Sequence, residues 1–190
     1  LFAIGVESFT VGSHEFYLAY AAKNNLSVTM DTGHYHPTEM VYDKITSATQ
    51  ILDHVLLHIS RGIRWDSDHV LIQSDELTSL MTEVKRANLF DKVGLGLDYF
   101  DASINRVAAW TIGLRAAGKA LLTALLEPSD LLEKAEASGD FTTRLALTDE
   151  IRNLPVNAVW DMMCARKNVA VGDEWIDELK KYESDVQDKR

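Results

Sequence analysis

Over its first two-thirds the chain alternates short, mostly apolar runs with stretches whose apolar residues recur every three or four positions. That is the rhythm of βα units around a parallel sheet. The runs Phe2–Val6, Leu26–Met30, Val55–Ile59 and Val93–Leu97 are expected to be strands. Between them the pattern predicts a helix over 14–23. A second helix is expected to be N-capped by Thr38 and to carry Met40, Val41, Ile45 and Ala48. A third, capped at Ser74, runs to about Ala87 with Leu77, Leu80, Met81 and Val84 on one face.

Beyond Val107 the pattern changes. Helices near 107–126, 129–138, 140–152, 156–166 and 172–188 follow one another without a convincing strand, and Pro128 and Pro155 punctuate them. The expected organisation is therefore an α/β region over 1–126 and a helical extension over 127–190. The apolar stretch from Val107 to Leu126 is interrupted by Arg115 and Lys119, so it reads as a half-buried helix rather than a membrane span.

Composition narrows the function classes. The 190 residues carry a formal net charge of −10, and their 19 Lys and Arg are scattered, which argues against a nucleic-acid surface. The single Cys164 excludes an internal disulfide and suits a reducing cytoplasm. The chain opens on Leu1-Phe-Ala-Ile-Gly-Val, and further sequence is expected ahead of it.

The chemistry concentrates early. All 6 histidines precede position 70, and they share that stretch with carboxylates in Asp31-Thr-Gly-His34-Tyr-His36 and Trp65-Asp66-Ser-Asp68-His69. Asp31, His58 and Asp98 each fall at the C-terminal end of an expected strand, while His34, Asp66 and Asp68 lie in the loops that follow two of them. Ligands bind at that edge in parallel βα architectures, because successive loops converge there. Asp66 and Asp68, two apart, would present both carboxylates to one side of an extended segment. Two carboxylates with the His34 imidazole suit Mn²⁺, Zn²⁺ or Co²⁺ better than Mg²⁺. Asp31, Asp98 and His58 are candidates for a second ion nearby.

Each residue taken singly also has a bland reading. Asp31 can be a polar strand end feeding the Gly33 turn, His58 a hydrogen-bonded core histidine, Asp66 and Asp68 a solvated loop, and Asp98 a helix-entry residue. His36 and His69 can support the ligands or simply fill loop and strand positions, and His14 and His54 read as structural or surface residues. Arg61 and Arg64 can bind a polyhydroxylated ligand or pair with local carboxylates. Tyr35, Trp65, Tyr99 and Phe100 can wall a sugar pocket, although aromatics beside strands more often belong to the core. The recurrence of metal-type residues at consecutive strand ends favours the joint reading.

Four segments carry a resemblance. Val6-Glu-Ser-Phe-Thr-Val-Gly-Ser-His-Glu-Phe-Tyr, Asp31-Thr-Gly-His-Tyr-His-Pro-Thr-Glu39, His58-Ile-Ser-Arg-Gly-Ile-Arg-Trp-Asp-Ser-Asp-His-Val70 and Gly96-Leu-Asp-Tyr-Phe-Asp-Ala-Ser-Ile-Asn-Arg106 strongly resemble the bacterial L-rhamnose isomerase family. Leu145-Ala-Leu and Leu154-Pro continue the resemblance into the helical tail. It implies a (β/α)₈ barrel of the xylose-isomerase kind, of which this chain would be the C-terminal half with a helical extension. It also implies an aldose-ketose isomerase that interconverts L-rhamnose and L-rhamnulose by a metal-assisted 1,2-hydride shift.

Carried over by position, the resemblance makes His34, Asp66 and Asp68 ligands of a catalytic Mn²⁺. Asp31, His58 and Asp98 become ligands of a second divalent ion, Zn²⁺ or Mn²⁺, with Asp31 shared between the two and Asp101 a rival to Asp98. His34 and Asp98 are the residues nearest the chemistry, and substrate contacts remain unassigned. A cytoplasmic homotetramer is implied, with the helical tail against a neighbouring subunit. One departure stands out: the family's Glu two residues before a Lys has no match, since Glu7 is followed by Ser8 and Phe9. That motif is expected ahead of Leu1, with the first four βα units. Two other readings compete, a metallohydrolase on a similar barrel and an inactive or purely structural half-barrel.

Overall fold

A computed structural model describes residues 12–36, 38–61 and 69–190. The expected strand Phe2–Val6, together with Glu7, Arg64, Trp65, Asp66 and Asp68, lies outside the described residues. The chain divides into two compact units, Leu1–Ala117 and Gly118–Arg190.

In the first unit, helices and strands alternate: α1 (His14–Asn24), β1 (Val28–Asp31), α2 (Tyr42–Ile51), β2 (Val55–Ile59), α3 (Asp75–Arg86) and β3 (Val93–Leu97). The start of the long helix α4 (Arg106–Leu126) follows. The three strands form one parallel sheet in the order β1-β2-β3, so each helix between strands is a crossover. The fold is mixed α/β, as the alternating pattern requires.

Local chemistry explains the boundaries. The Ser13 hydroxyl accepts from Phe16 N–H at the start of α1, and Asn25 ends that helix in the left-handed conformation at φ 53°. Ser74 caps α3 by accepting from Leu77 N–H, and Asp75 and Glu76 in its first turn complement the helix dipole. The expected Thr38 cap is corrected. Helix α2 begins at Tyr42 after Val41, with no side-chain cap, because the Thr38 hydroxyl pairs with His36 Nδ1 at 2.6 Å instead. Short-range bonds of this kind compete with helix capping.

One face of the sheet is apolar. Strand alternation puts Val28 and Met30 of β1, Val55, Leu57 and Ile59 of β2, and Val93 of β3 on that face, and all are buried. The buried residues Ile45 and Ala48 of α2 and Leu77, Leu80, Met81 and Val84 of α3 complete the core, and α2 packs on both β2 and α3. Each fully buried aliphatic side chain contributes roughly 1.5–3 kcal/mol. The opposite face carries Thr29 and Asp31, Leu56 and His58, and Gly94 and Gly96. Its polar end holds the chemistry.

The second unit is helical among its described residues: the end of α4, α5 (Ser129–Ala137), α6 (Phe141–Glu150), α7 (Val156–Lys167) and α8 (Glu174–Tyr182). The helix expected over 140–152 is shorter, since a 3-10 turn over Ile151–Asn153 tightens its end before Pro155. Asp140 caps α6 by accepting from Thr143 N–H, and α8 gives way to a π-helical turn over Glu183–Gln187. Among the described residues no helix is long and apolar enough to cross a membrane.

Candidate metal centre

Register brings the strand-end residues into line. Asp31 stands opposite His58, and His58 stands opposite Gly96, two residues before Asp98. The ladder continues one step past each strand, with Thr32 N–H donating to His58 C=O at 3.0 Å and Asp98 N–H donating to Ile59 C=O at 3.3 Å. Period-two alternation therefore sets Asp31, His58 and Asp98 on one face at the C-terminal edge of three adjacent strands.

Asp31 is the hub. Its Oδ1 accepts from Gly33 N–H at 2.8 Å and from the Ser60 hydroxyl at 3.2 Å. Its Oδ2 lies 2.5 Å from His58 Nδ1 and 3.9 Å from His34 Nε2. The other His58 nitrogen, Nε2, is 3.7 Å from Asp98 Oδ2. Imidazole and carboxylate thus alternate from His34 through Asp31 and His58 to Asp98. The Asp31 side chain is 13% exposed, whereas the Asp98 side chain is 40% exposed and is the open end of the line.

The loop after β1 fits tightly against the end of β2. A Cβ at position 33 would collide with the Ser60 hydroxyl, so a larger residue there would displace that hydroxyl. Thr32 Oγ1 donates to Ser60 C=O at 2.6 Å and accepts from Ser60 N–H at 2.9 Å, which ties the two strand ends together. Ser60 and Thr32 were absent from the candidate set read from sequence. Their only signal there is a hydroxyl immediately after each of two strands that end in candidate ligands.

The remaining candidates separate clearly. His69 is buried, and its ring packs against His34 at 5.3 Å and Phe100 at 4.8 Å between centroids. Its backbone bridges the segments after β2 and β3, accepting from Arg61 N–H and donating to Phe100 C=O. His36 lies in its local pairing with Thr38, and His54 is exposed. His14 is half-buried, with Nδ1 2.8 Å from the Tyr35 hydroxyl, so α1 is tied to the residue that follows His34. Burial, then Lys44, lowers the His14 pKa, against the opposing carboxylates of Glu15 and Glu39. Tyr35 and Tyr99 are core residues, and burial pushes both phenols up.

Asp98 and Asp101 have different surroundings. Asp101 Oδ1 accepts from the Ser103 hydroxyl and N–H, which hold its carboxyl below the usual range and close the turn before α4. Asp98 instead faces His58. Among the described residues no three His, Cys, Asp or Glu side chains already close around a common point as a metal cage would. Two carboxylates and two imidazoles on one edge nevertheless match the donor chemistry of Mn²⁺ or Zn²⁺.

A profile of the L-rhamnose isomerase (RhaA) family matches residues 1–190. L-rhamnose isomerases of Salmonella paratyphi B, Salmonella newport and Salmonella heidelberg are each 53% identical over all 190 residues. The chain spans 45% of the length of those relatives. From its first residue to its last, the chain belongs to the L-rhamnose isomerase family.

Proposed function

We propose that the chain carries the metal-binding face of an aldose-ketose isomerase that interconverts L-rhamnose and L-rhamnulose by a 1,2-hydride shift. The observation that carries this reading is the alignment of Asp31, His58 and Asp98 on one face at the C-terminal edge of three consecutive parallel strands, in a chain of this family. That three-stranded sheet supports the C-terminal half of a (β/α)₈ barrel, with 127–190 as a helical extension.

His34, Asp66 and Asp68 would hold a catalytic Mn²⁺, and Asp31, His58 and Asp98 a second ion, Zn²⁺ or Mn²⁺. A divalent ion bound there supplies Lewis-acid polarisation of the sugar carbonyl. Asp98, at the solvent-open end of the line, would help position the second ion or a water, with the proton on the sugar O2 going to metal-bound hydroxide or a nearby carboxylate. Asp31, buried and hydrogen-bonded on Oδ1, keeps the His58 imidazole oriented through Nδ1. His69 holds the His34 ring by packing against it. The same reading makes the protein a cytoplasmic homotetramer, with exposed apolar side chains such as Phe141, Leu145 and Met162 available for subunit contacts.

The test is metal content and turnover on the same preparation. Mn²⁺ retention should fall in Asp66→Ala and Asp68→Ala, and Mn²⁺-loaded protein should form ketose from L-rhamnose while leaving esters and phosphoesters intact. Deuterium at C2 of the sugar should appear at C1 of the product. Unchanged Mn²⁺ in both variants refutes the ligand assignment, and loss of the label to solvent refutes the hydride shift.

A further inference from the structure

The two oxygens of Asp31 are treated differently by the fold. Oδ1 has two donors, Gly33 N–H and the Ser60 hydroxyl, which occupy the lone-pair directions of one carboxylate oxygen. Oδ2 pairs with His58 Nδ1 at 2.5 Å and lies 3.9 Å from His34 Nε2, the imidazoles with which it would share a cation. Ser60 is 3% exposed, so water does not compete for its hydroxyl. Its backbone is held on both sides by Thr32 Oγ1, and the glycine at 33 is what lets the loop approach that hydroxyl so closely. The arrangement is built rather than incidental.

We infer that Ser60 is a positioning residue for the metal centre: its hydroxyl occupies Asp31 Oδ1, leaving Oδ2 as the single oxygen that Asp31 offers to a cation. The inference rests on the metal-centre reading proposed above and adds a basis for ion selectivity. Ca²⁺ takes six to eight oxygens and readily uses both oxygens of a carboxylate, whereas Mn²⁺ and Zn²⁺ accept imidazole and fewer donors. A carboxylate restricted to one oxygen therefore disfavours Ca²⁺. Removing the Ser60 hydroxyl leaves Oδ1 with the Gly33 N–H as its one remaining donor of the two, loosens the carboxylate, and opens a lone pair for two-oxygen binding.

Calorimetric titration of the full chain with Mn²⁺ and, separately, Ca²⁺ tests this. Ser60→Ala should weaken Mn²⁺ binding by roughly 10- to 100-fold, the range for lost supports behind a ligand. Ca²⁺ affinity should hold or rise, so the preference between the ions narrows. Ser60→Thr, which keeps the hydroxyl, should retain the wild-type preference. Circular dichroism at the titration temperature checks folding. If Ser60→Ala does not fold, Ser60→Cys, of similar size but a weak donor, carries the same expectation. Equal loss of both ions, no loss of either, or a Ser60→Thr that behaves like Ser60→Ala overturns the role of Ser60 while leaving the metal centre standing. Wild-type chain that takes up neither ion overturns both, and needs no variant to reveal it.

Discussion

Replacing Thr32 with valine should destabilise the chain by about 2 kcal/mol through a single oxygen atom. Valine matches threonine in shape, so packing changes little, but both Thr32 Oγ1 bonds to the Ser60 backbone disappear. Each such bond is worth about 0.5–1.5 kcal/mol net, and a buried N–H left without a partner costs roughly 1–3 kcal/mol. Ser60 is buried, so its N–H has no access to compensating water, while its carbonyl loses a 2.6 Å donor. A change of about 2 kcal/mol shifts the folded-to-unfolded ratio roughly thirtyfold and lowers the melting temperature by roughly 4–8 °C for a chain of this size. Urea unfolding followed by far-ultraviolet circular dichroism measures it: the midpoint should fall with the slope unchanged. Thr32→Ser, which keeps the oxygen, should recover most of the loss. A Thr32→Val variant within about 0.5 kcal/mol of wild type would refute the reasoning, because it would mean the two strand ends do not depend on this clasp.

Three further outcomes are expected. Leu57→Ala, at a fully buried position in the central strand, should cost about 2–5 kcal/mol in the same unfolding assay. Gly113→Ala drives a methyl into the Tyr99 ring, and should cost about 1–3 kcal/mol and change the near-ultraviolet tyrosine signal. His14 has its folded pKa lowered from 6.5 by burial and then Lys44, so the unfolded chain binds the extra proton and stability falls as pH drops below 6.5. His14→Gln should therefore lose less stability than wild type between about pH 7 and about pH 5, and parallel pH profiles would count against the assignment.

Elements that announce themselves locally were legible in the sequence. Val55–Ile59 and Val93–Leu97 are strands over the expected residues, because each is an apolar run closed on both sides by polar or turn residues. Helix α3 falls within a residue of expectation, since Ser74 supplies its cap and Leu77, Leu80, Met81 and Val84 its buried face. The start of α2 differs from expectation because two side chains two residues apart, His36 and Thr38, prefer each other to the helix. That preference depends on loop geometry, which composition does not carry. The site divides in the same way. Asp31, His58 and Asp98 were legible as strand-end residues, since parallel topology brings successive strand ends to one edge.

What lies behind those residues depends on contacts between segments far apart in the chain. His69 is set beside His34 by its own backbone bonds to Arg61 and Phe100, contacts that no local pattern marks. Ser60 reaches Asp31 across 29 positions of sequence, and the contact exists only at a register that sets Asp31 opposite His58. A shift of one residue in that pairing would turn His58 to the opposite face of the sheet and bring Leu57, now fully buried, to the site. The apolar alternation of β2 that builds the core is therefore also what aims the imidazole. Substitutions that weaken the apolar face should disturb metal binding before they abolish the fold, which distinguishes this arrangement from a site carried on a loop. Leu57→Ala, titrated with Mn²⁺ under conditions where it is still folded, should bind more weakly than wild type. Undiminished affinity in that variant would show that the strand ends keep their register without the core beneath them.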